Sequence, residues 1–254
     1  MKSTLPTLPS VIVLILAFAA ICGFLGWKMF VASEREVNSD EIQQRLKWTM
    51  QAVISPSNKG NPDDDLRVYA VNVVHTAVPF RKPFFGYGVY LGQGTVLTAA
   101  HVVGHIPIVT HPRVLISGKD LPAKVTREDS KENIDLALLS IDESLLPYTL
   151  RLRRNPICKE PLQAGLEVLI VYPERTVRSK VISPVQAGLT GYAQFNTLVD
   201  KAEGSGSGVF DRQRKCLLGI ISRKVEKNNL EVGRTRFAGY FVPAQTIRAF
   251  INGP

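Results

Sequence analysis

The run Glu203-Gly204-Ser205-Gly206-Ser207-Gly208-Val209-Phe210 decides how the rest of the chain is read. A serine hydroxyl is a weak nucleophile until a base takes its proton. Glycines on both sides of Ser205 let the backbone turn tightly and leave N–H groups to face a developing oxyanion. Preorganised donors of this kind are worth about 3–4 kcal/mol each. Glycine–serine alternation alone describes a flexible linker. Here it runs directly into Val209-Phe210-Asp211, the start of a strand, which argues against a loose segment. Ser207 is the competing nucleophile in the same run.

A nucleophilic serine needs an imidazole, and the imidazole needs a third group to fix its tautomer and stabilise its charged form. Upstream stand Thr98-Ala99-Ala100-His101 and Asn133-Ile134-Asp135-Leu136-Ala137-Leu138-Leu139. Small residues before His101 let its ring pack against a wall while one edge faces a cleft. His75, His105 and His111 have no such setting. Asp135 precedes an apolar run that must be buried, where a carboxylate is costly unless hydrogen-bonded; a histidine N–H supplies that partner. Asp129 is the decoy, read as loop within the polar run Arg127-Glu128-Asp129-Ser130-Lys131. His101 as base, Asp135 as its orienter and Ser205 as nucleophile predict hydrolysis of peptide bonds through an acyl-enzyme.

Around these motifs the chain consists of short β-rich runs separated by turns: Arg67–Val74, Gly86–Leu91, Thr95–Thr98, Val114–Ser117, Leu136–Ile141, Val168–Tyr172, Thr176–Ile182, Leu217–Ser222 and Arg236–Val242. Many short strands with Gly and Pro punctuation predict an all-β barrel or sandwich. Only the tail from Pro243 to Ile251 reads as helix, with its proline near the first turn.

The N-terminal quarter has a different texture. Ser3 to Trp27 carries no charge, and residues 11–27 are almost continuously apolar. A helix needs about 20 such residues to cross a bilayer. Residues 1–32 are therefore expected to anchor the chain as a single-pass helix, with the bulk of the chain periplasmic or extracellular. The alternative is a cleaved signal peptide and a secreted product, since Ala17-Phe18-Ala19 resembles a cleavage site; that site falls inside the apolar run rather than after it. Residues 33–65 read as a stalk. An amphipathic helix starts near Ser39, with Ile42, Leu46, Met50 and Ile54 on one face, and a polar linker runs from Ser55 to Asp65.

The composition excludes other classes. Hydrophobic content of 45% with 21% charged residues is that of a folded globular protein, not a disordered one. The net charge of +9 and a pI near 9.6 suit anionic surfaces. The cations are scattered among strands, however, and no nucleic-acid-binding signature accompanies them, so nucleic acid is not an expected partner. The expected partners are a protein or peptide substrate and the membrane through residues 11–27. No Cys/His spacing suggests a metal site, and the chemistry needs no cofactor. Cys158 and Cys216 either pair, if this part of the chain is exported, or serve as small buried residues. The oligomeric state is left open.

Thr98–His101, Asp135–Leu139 and Ser205–Phe210 resemble the T-A-A-H, D-[IL]-A-L-L and S-G-[GS]-x-V-F patterns of the chymotrypsin-like, or trypsin-fold, serine peptidases, particularly bacterial forms. The resemblance covers about residues 66–252. It implies a double six-stranded β-barrel, roughly residues 66–155 and 156–242 within a domain of 66–254, with a short C-terminal helix and the active site between the barrels. It selects Ser205 over Ser207 by register. It implies that the backbone N–H groups of Glu203 and Ser205 hold the oxyanion, that Leu218–Ser222 belongs to the strand that pairs with substrate, and that Val199, Asp200 and Ser222 border the pocket before the cut. An acid in that pocket favours Lys or Arg in the substrate. Two departures stand out. Glu203 replaces the usual glycine, at a strain of about 1–3 kcal/mol in the conformation a glycine adopts there. Gly204 replaces the aspartate that zymogens pair with a freed N-terminus, which argues against activation by N-terminal trimming. The rival expectation is a catalytically silent, membrane-tethered module that keeps the fold for binding or sensing.

Overall fold

Period-two alternation is clearest along Lys119–Asp129, where Pro122, Lys124, Thr126 and Glu128 are exposed and the residues between them are more covered. Leu136–Ile141 is buried except for Ser140, and Gly208–Asp211 is buried throughout. The first strand has one face in water, whereas the others are enclosed on both sides. A computed structural model describes residues 63–76, 84–104, 111–129, 134–182, 198–200, 202, 204–228 and 235–253. The expected membrane anchor and amphipathic stalk helix lie outside the described residues. Among those residues, no helix is long and apolar enough to cross a membrane.

Twelve strands form two closed barrels. The first holds β1 (Ala70–Thr76), β2 (Phe84–Gly92), β3 (Thr95–Thr98), β4 (His111–Ile116), β5 (Lys119–Asp129) and β6 (Leu136–Ile141). The second holds β7 (Glu167–Val171), β8 (Thr176–Ile182), β9 (Leu198–Asp200), β10 (Gly208–Asp211), β11 (Leu217–Asn228) and β12 (Thr235–Pro243). Their strand orders are the same, β1-β2-β3-β6-β5-β4 and β7-β8-β9-β12-β11-β10, and β1 with β4 and β7 with β10 close the rings. Ring closure gives each strand a hydrogen-bonded neighbour on both sides for at least part of its length.

Three short helices complete the described chain: α1 (Ala100–Val103), α2 (Tyr148–Arg151) and α3 (Ala244–Asn252). Ala244, Ile247 and Phe250 face inward from α3 at helical spacing. Arg127 of β5 stacks over the Phe250 ring and donates to the Gly253 carbonyl at 2.7 Å, docking the terminal helix on the first barrel. Each barrel has its own apolar core, and a third cluster draws on both barrels and on α3, including Leu97, Leu136, Phe210, Tyr240 and Ile247. Cys158, in the connection between barrels, is disulfide-bonded to Cys216 at the head of β11, with Cα atoms 5.1 Å apart. This settles the choice the sequence left open.

Two local expectations are corrected. Arg127-Glu128-Asp129 is not loop but the end of β5, where Asp129 pairs with Leu136. The first strand begins at Ala70 rather than Arg67, because Asp64–Tyr69 forms a 3-10 turn. Asp63, placed in the polar linker, is only 3% exposed. Arg178 at 2.7 Å, Lys215 at 3.3 Å and Arg212 at 3.6 Å surround its carboxylate. Burial alone would raise Asp63, but hydrogen bonds and charge from Arg178 and Lys215 outweigh it and hold the carboxyl below its usual range.

Candidate active site

His101 stands in α1, directly after β3, on a chain path that Ala99 and Ala100 make narrow; both alanines are fully buried. Asp135 lies one residue before β6, the strand that pairs with β3, so sheet register brings the two together. The Asp135 carboxylate is fully buried and His101 is about one quarter exposed. Nδ1 of His101 faces the two carboxylate oxygens at 2.9 and 3.0 Å, and the His101 backbone N–H donates to Oδ1 at 3.1 Å. A carboxylate only accepts, so the proton of this contact sits on Nδ1. Asp135 also has φ +60, a left-handed conformation uncommon for a residue with a side chain. The donors converging on its carboxylate hold it there.

Ser222 supplies a further donor. A bulge between Ile221 and Arg223 in β11 re-aims this residue, and its hydroxyl donates to Asp135 Oδ2. Its own carbonyl accepts from Ser205 Oγ at 3.4 Å. Ser222 thereby links the carboxylate from the first barrel to the serine of the second. Among the described residues the Ser205 hydroxyl turns to this carbonyl, not to His101.

The glycines flanking Ser205 have positive φ, +90 at Gly204 and +86 at Gly206. The Gly206 N–H donates to Ile221 and that of Ser207 to Gly204, whereas the Ser205 N–H donates to no backbone carbonyl among the described residues. Ser207 is buried, with its hydroxyl on the Gly204 carbonyl at 2.7 Å, so this serine braces the turn. Glu203 lies outside the described residues.

The pocket residues fare differently. Val199 is fully buried in the core of the second barrel. Asp200 lines a cavity of about 330 Å³ with Glu167, Arg178, Ser179, Lys180 and Arg212, and none of His101, Asp135 or Ser205 lines it. Ser222 gives its hydroxyl to Asp135 and is 1% exposed. Sequence reading missed Tyr87. From β2 of the first barrel it donates its N–H to the Ser205 carbonyl at 2.9 Å, and its own carbonyl accepts from Thr98 Oγ at 2.6 Å. Nothing in a strand sequence marks such a contact between barrels. His75 is 5% exposed on β1, its ring against Gly104 at the end of α1; burial pushes its imidazole pKa down. It supports the histidine helix from below.

Two closed six-stranded barrels, with a histidine–carboxylate pair on one and a glycine-framed serine on the other, define the class of trypsin-fold serine peptidases. The trypsin-like peptidase domain matches residues 86–220, more than half of the sequence, and the chain belongs to that family. Among solved structures, the chain is similar to the active form of the Rv3671c protease from M. tuberculosis, at 15% identity and TM-score 0.53, over 77% of this chain and 85% of that one. The inactive form of the same protease matches at 18% identity and TM-score 0.51, over 77% of this chain and 94% of that one. Kallikrein-related peptidase 10 matches at 18% identity and TM-score 0.50, over 71% and 92%. At these identities the likeness concerns the fold. No curated protein matches the sequence.

Proposed function

We propose that this chain is a serine endopeptidase that cuts peptide bonds through His101, Asp135 and Ser205. The observation that carries the reading is the buried Asp135 carboxylate, held at positive φ with Nδ1–H of His101 and the Ser222 hydroxyl directed at it. A strained, buried charge that fixes one imidazole tautomer has a use in proton transfer and little in stability. In the proposed reaction Ser205 Oγ leaves the Ser222 carbonyl and bonds to the scissile carbon, passing its proton to His101 Nε2. His101 then protonates the departing amine as the C–N bond breaks. Water repeats the cycle on the acyl-enzyme, with Asp135 stabilising the imidazolium each time. The N–H of Ser205, with that of Glu203, would hold the oxyanion.

The proposed setting is a single-pass membrane protein with its peptidase domain outside the cytoplasm. The uncharged run at residues 11–27 supports it, as does the disulfide, a bond that persists in oxidising compartments. The resting bond from Ser205 to Ser222, away from His101, supports a second reading, a silent module that keeps the fold. Fluorophosphonate labelling separates the two. Labelling lost in Ser205→Ala and kept in Ser207→Ala supports the peptidase, and an unlabelled wild-type chain refutes it.

A further inference from the structure

The chain reaches its first barrel by way of the second. Asp63 is clasped by Arg178 and Lys215, and its carbonyl accepts from Thr176 Oγ at 3.4 Å. One turn later, Nε and Nη2 of Arg67 both donate to the Pro173 carbonyl, at 3.1 and 2.8 Å. Pro173 and Thr176 lie at the tip of the β7–β8 hairpin, which the Tyr172 N–H closes by donating to the Arg175 carbonyl at 2.9 Å. A charged donor forked onto one carbonyl is among the stronger hydrogen bonds available to a surface turn.

Tyr172, beside that carbonyl, is 3% exposed and meets the Tyr87 ring edge-on, with centroids 5.1 Å apart. The two rings lie against Gly204. A Cβ at Gly204 would stand 2.6 Å from Tyr87 and 3.2 Å from Tyr172. Gly204 in turn accepts both the N–H and the hydroxyl of Ser207 and leads into Ser205. An unbroken line of contacts therefore runs from Arg67 through Pro173, Tyr172 and Gly204 to the serine.

We infer that Asp63–Arg67 is a positioning strap for the serine loop: Arg67 fixes the hairpin tip, the tip fixes Tyr172, and Tyr172 holds Gly204 so that Ser205 and its N–H keep their aim. This rests on the reading of Ser205 as nucleophile. In this inference Arg67 and Tyr172 act through the loop.

The test uses the full chain with Arg67→Ala, Arg67→Lys, Tyr172→Ala, Tyr172→Phe and the double alanine variant, all compared by melting curves. The first readout is kcat and KM on a peptide substrate with the rate of fluorophosphonate labelling. The second is hydrogen exchange of the amides of Gly206 and Ser207. Both alanine variants should lose about ten- to a hundredfold in kcat, the range expected for a misplacement near 1 Å, with KM nearly unchanged. The double variant should be no worse than the poorer single one, since both break one line of contact. Tyr172→Phe keeps the ring and should retain wild-type kcat, and Arg67→Lys should recover part of the loss. Exchange at Gly206 and Ser207 should quicken in the alanine variants. Unchanged exchange, or losses that multiply in the double variant, would overturn the strap. A wild-type chain that labels at no serine refutes the proposed peptidase activity instead, and the exchange result still decides whether the strap holds the loop. Should Arg67→Ala not fold, Arg67→Lys and Tyr172→Ala carry the comparison.

Discussion

Gly206 and Gly165 share a φ of +86, but a Cβ at Gly165 meets nothing within 4 Å, whereas one at Gly206 would stand 1.9 Å from the Tyr87 carbonyl oxygen. Replacing each by alanine separates backbone strain from close approach. Gly165→Ala incurs only the left-handed conformation, about 1 kcal/mol. At Gly206 the same strain is joined by a clash with backbone that has no rotamer to yield. Relief to an ordinary 3.4 Å contact requires about 1.5 Å of movement between β2 and the serine loop. One hydrogen bond spans the two and opposes it, Tyr87 N–H to the Ser205 carbonyl, while Thr98 Oγ holds the Tyr87 carbonyl from within the first barrel. Losing the spanning bond adds about 1 kcal/mol, so Gly206→Ala should cost about 2 kcal/mol, twice the loss at Gly165. Displacement of the nucleophile should lower kcat about a hundredfold. Urea unfolding gives the first quantity and turnover with fluorophosphonate labelling the second, both beside Gly165→Ala, which should keep wild-type activity. Equal stability losses in the two variants, or normal turnover in Gly206→Ala, would refute the placement of Tyr87 against the loop.

Other consequences are as open to measurement. Replacing Cys158 and Cys216 by serine releases a closed loop spanning 58 residues and should lower unfolding stability by about 2–4 kcal/mol, read in urea with and without reductant. Asp63→Asn should destabilise by about 1–2 kcal/mol at pH 7. Because the folded Asp63 pKa is depressed, its contribution is complete above the unfolded value and fades as pH falls through the folded one. Melting curves of the two proteins should therefore converge in acid below about pH 4, and a constant gap would argue against an ionised clasp. Glu203→Gly should relax the proposed oxyanion backbone and raise kcat about five- to a hundredfold with little change in KM; a lowered kcat would give Glu203 a role of its own.

The local chemistry was legible because it is local. Thr95–Thr98, Leu136–Ile141 and Thr176–Ile182 have the bounds that alternation and turn residues suggest, and α3 begins where Pro243 allows. The polar strand β5 escaped because Lys124, Thr126 and Glu128 face water, where an outer strand and a loop have the same composition. The short β9 is too brief for any period to show. Which way Val199 and Asp200 face could not be read either: Leu198 and Val199 are both fully buried, so β9 shows no alternation, and sequence distance from Ser205 says nothing of which face a residue takes.

From its sequence alone this chain declared the order histidine, aspartate, serine, the glycines that a tight turn requires and an all-β body, because each is a property of a few adjacent residues. Only the folded chain decided that Ser222 serves Asp135, that Ser207 braces the turn, that Cys158 meets Cys216 and that Tyr87 spans the barrels to hold Ser205. Those contacts join residues far apart in sequence, and what brings them together is barrel closure and strand register. No short stretch of sequence carries that information.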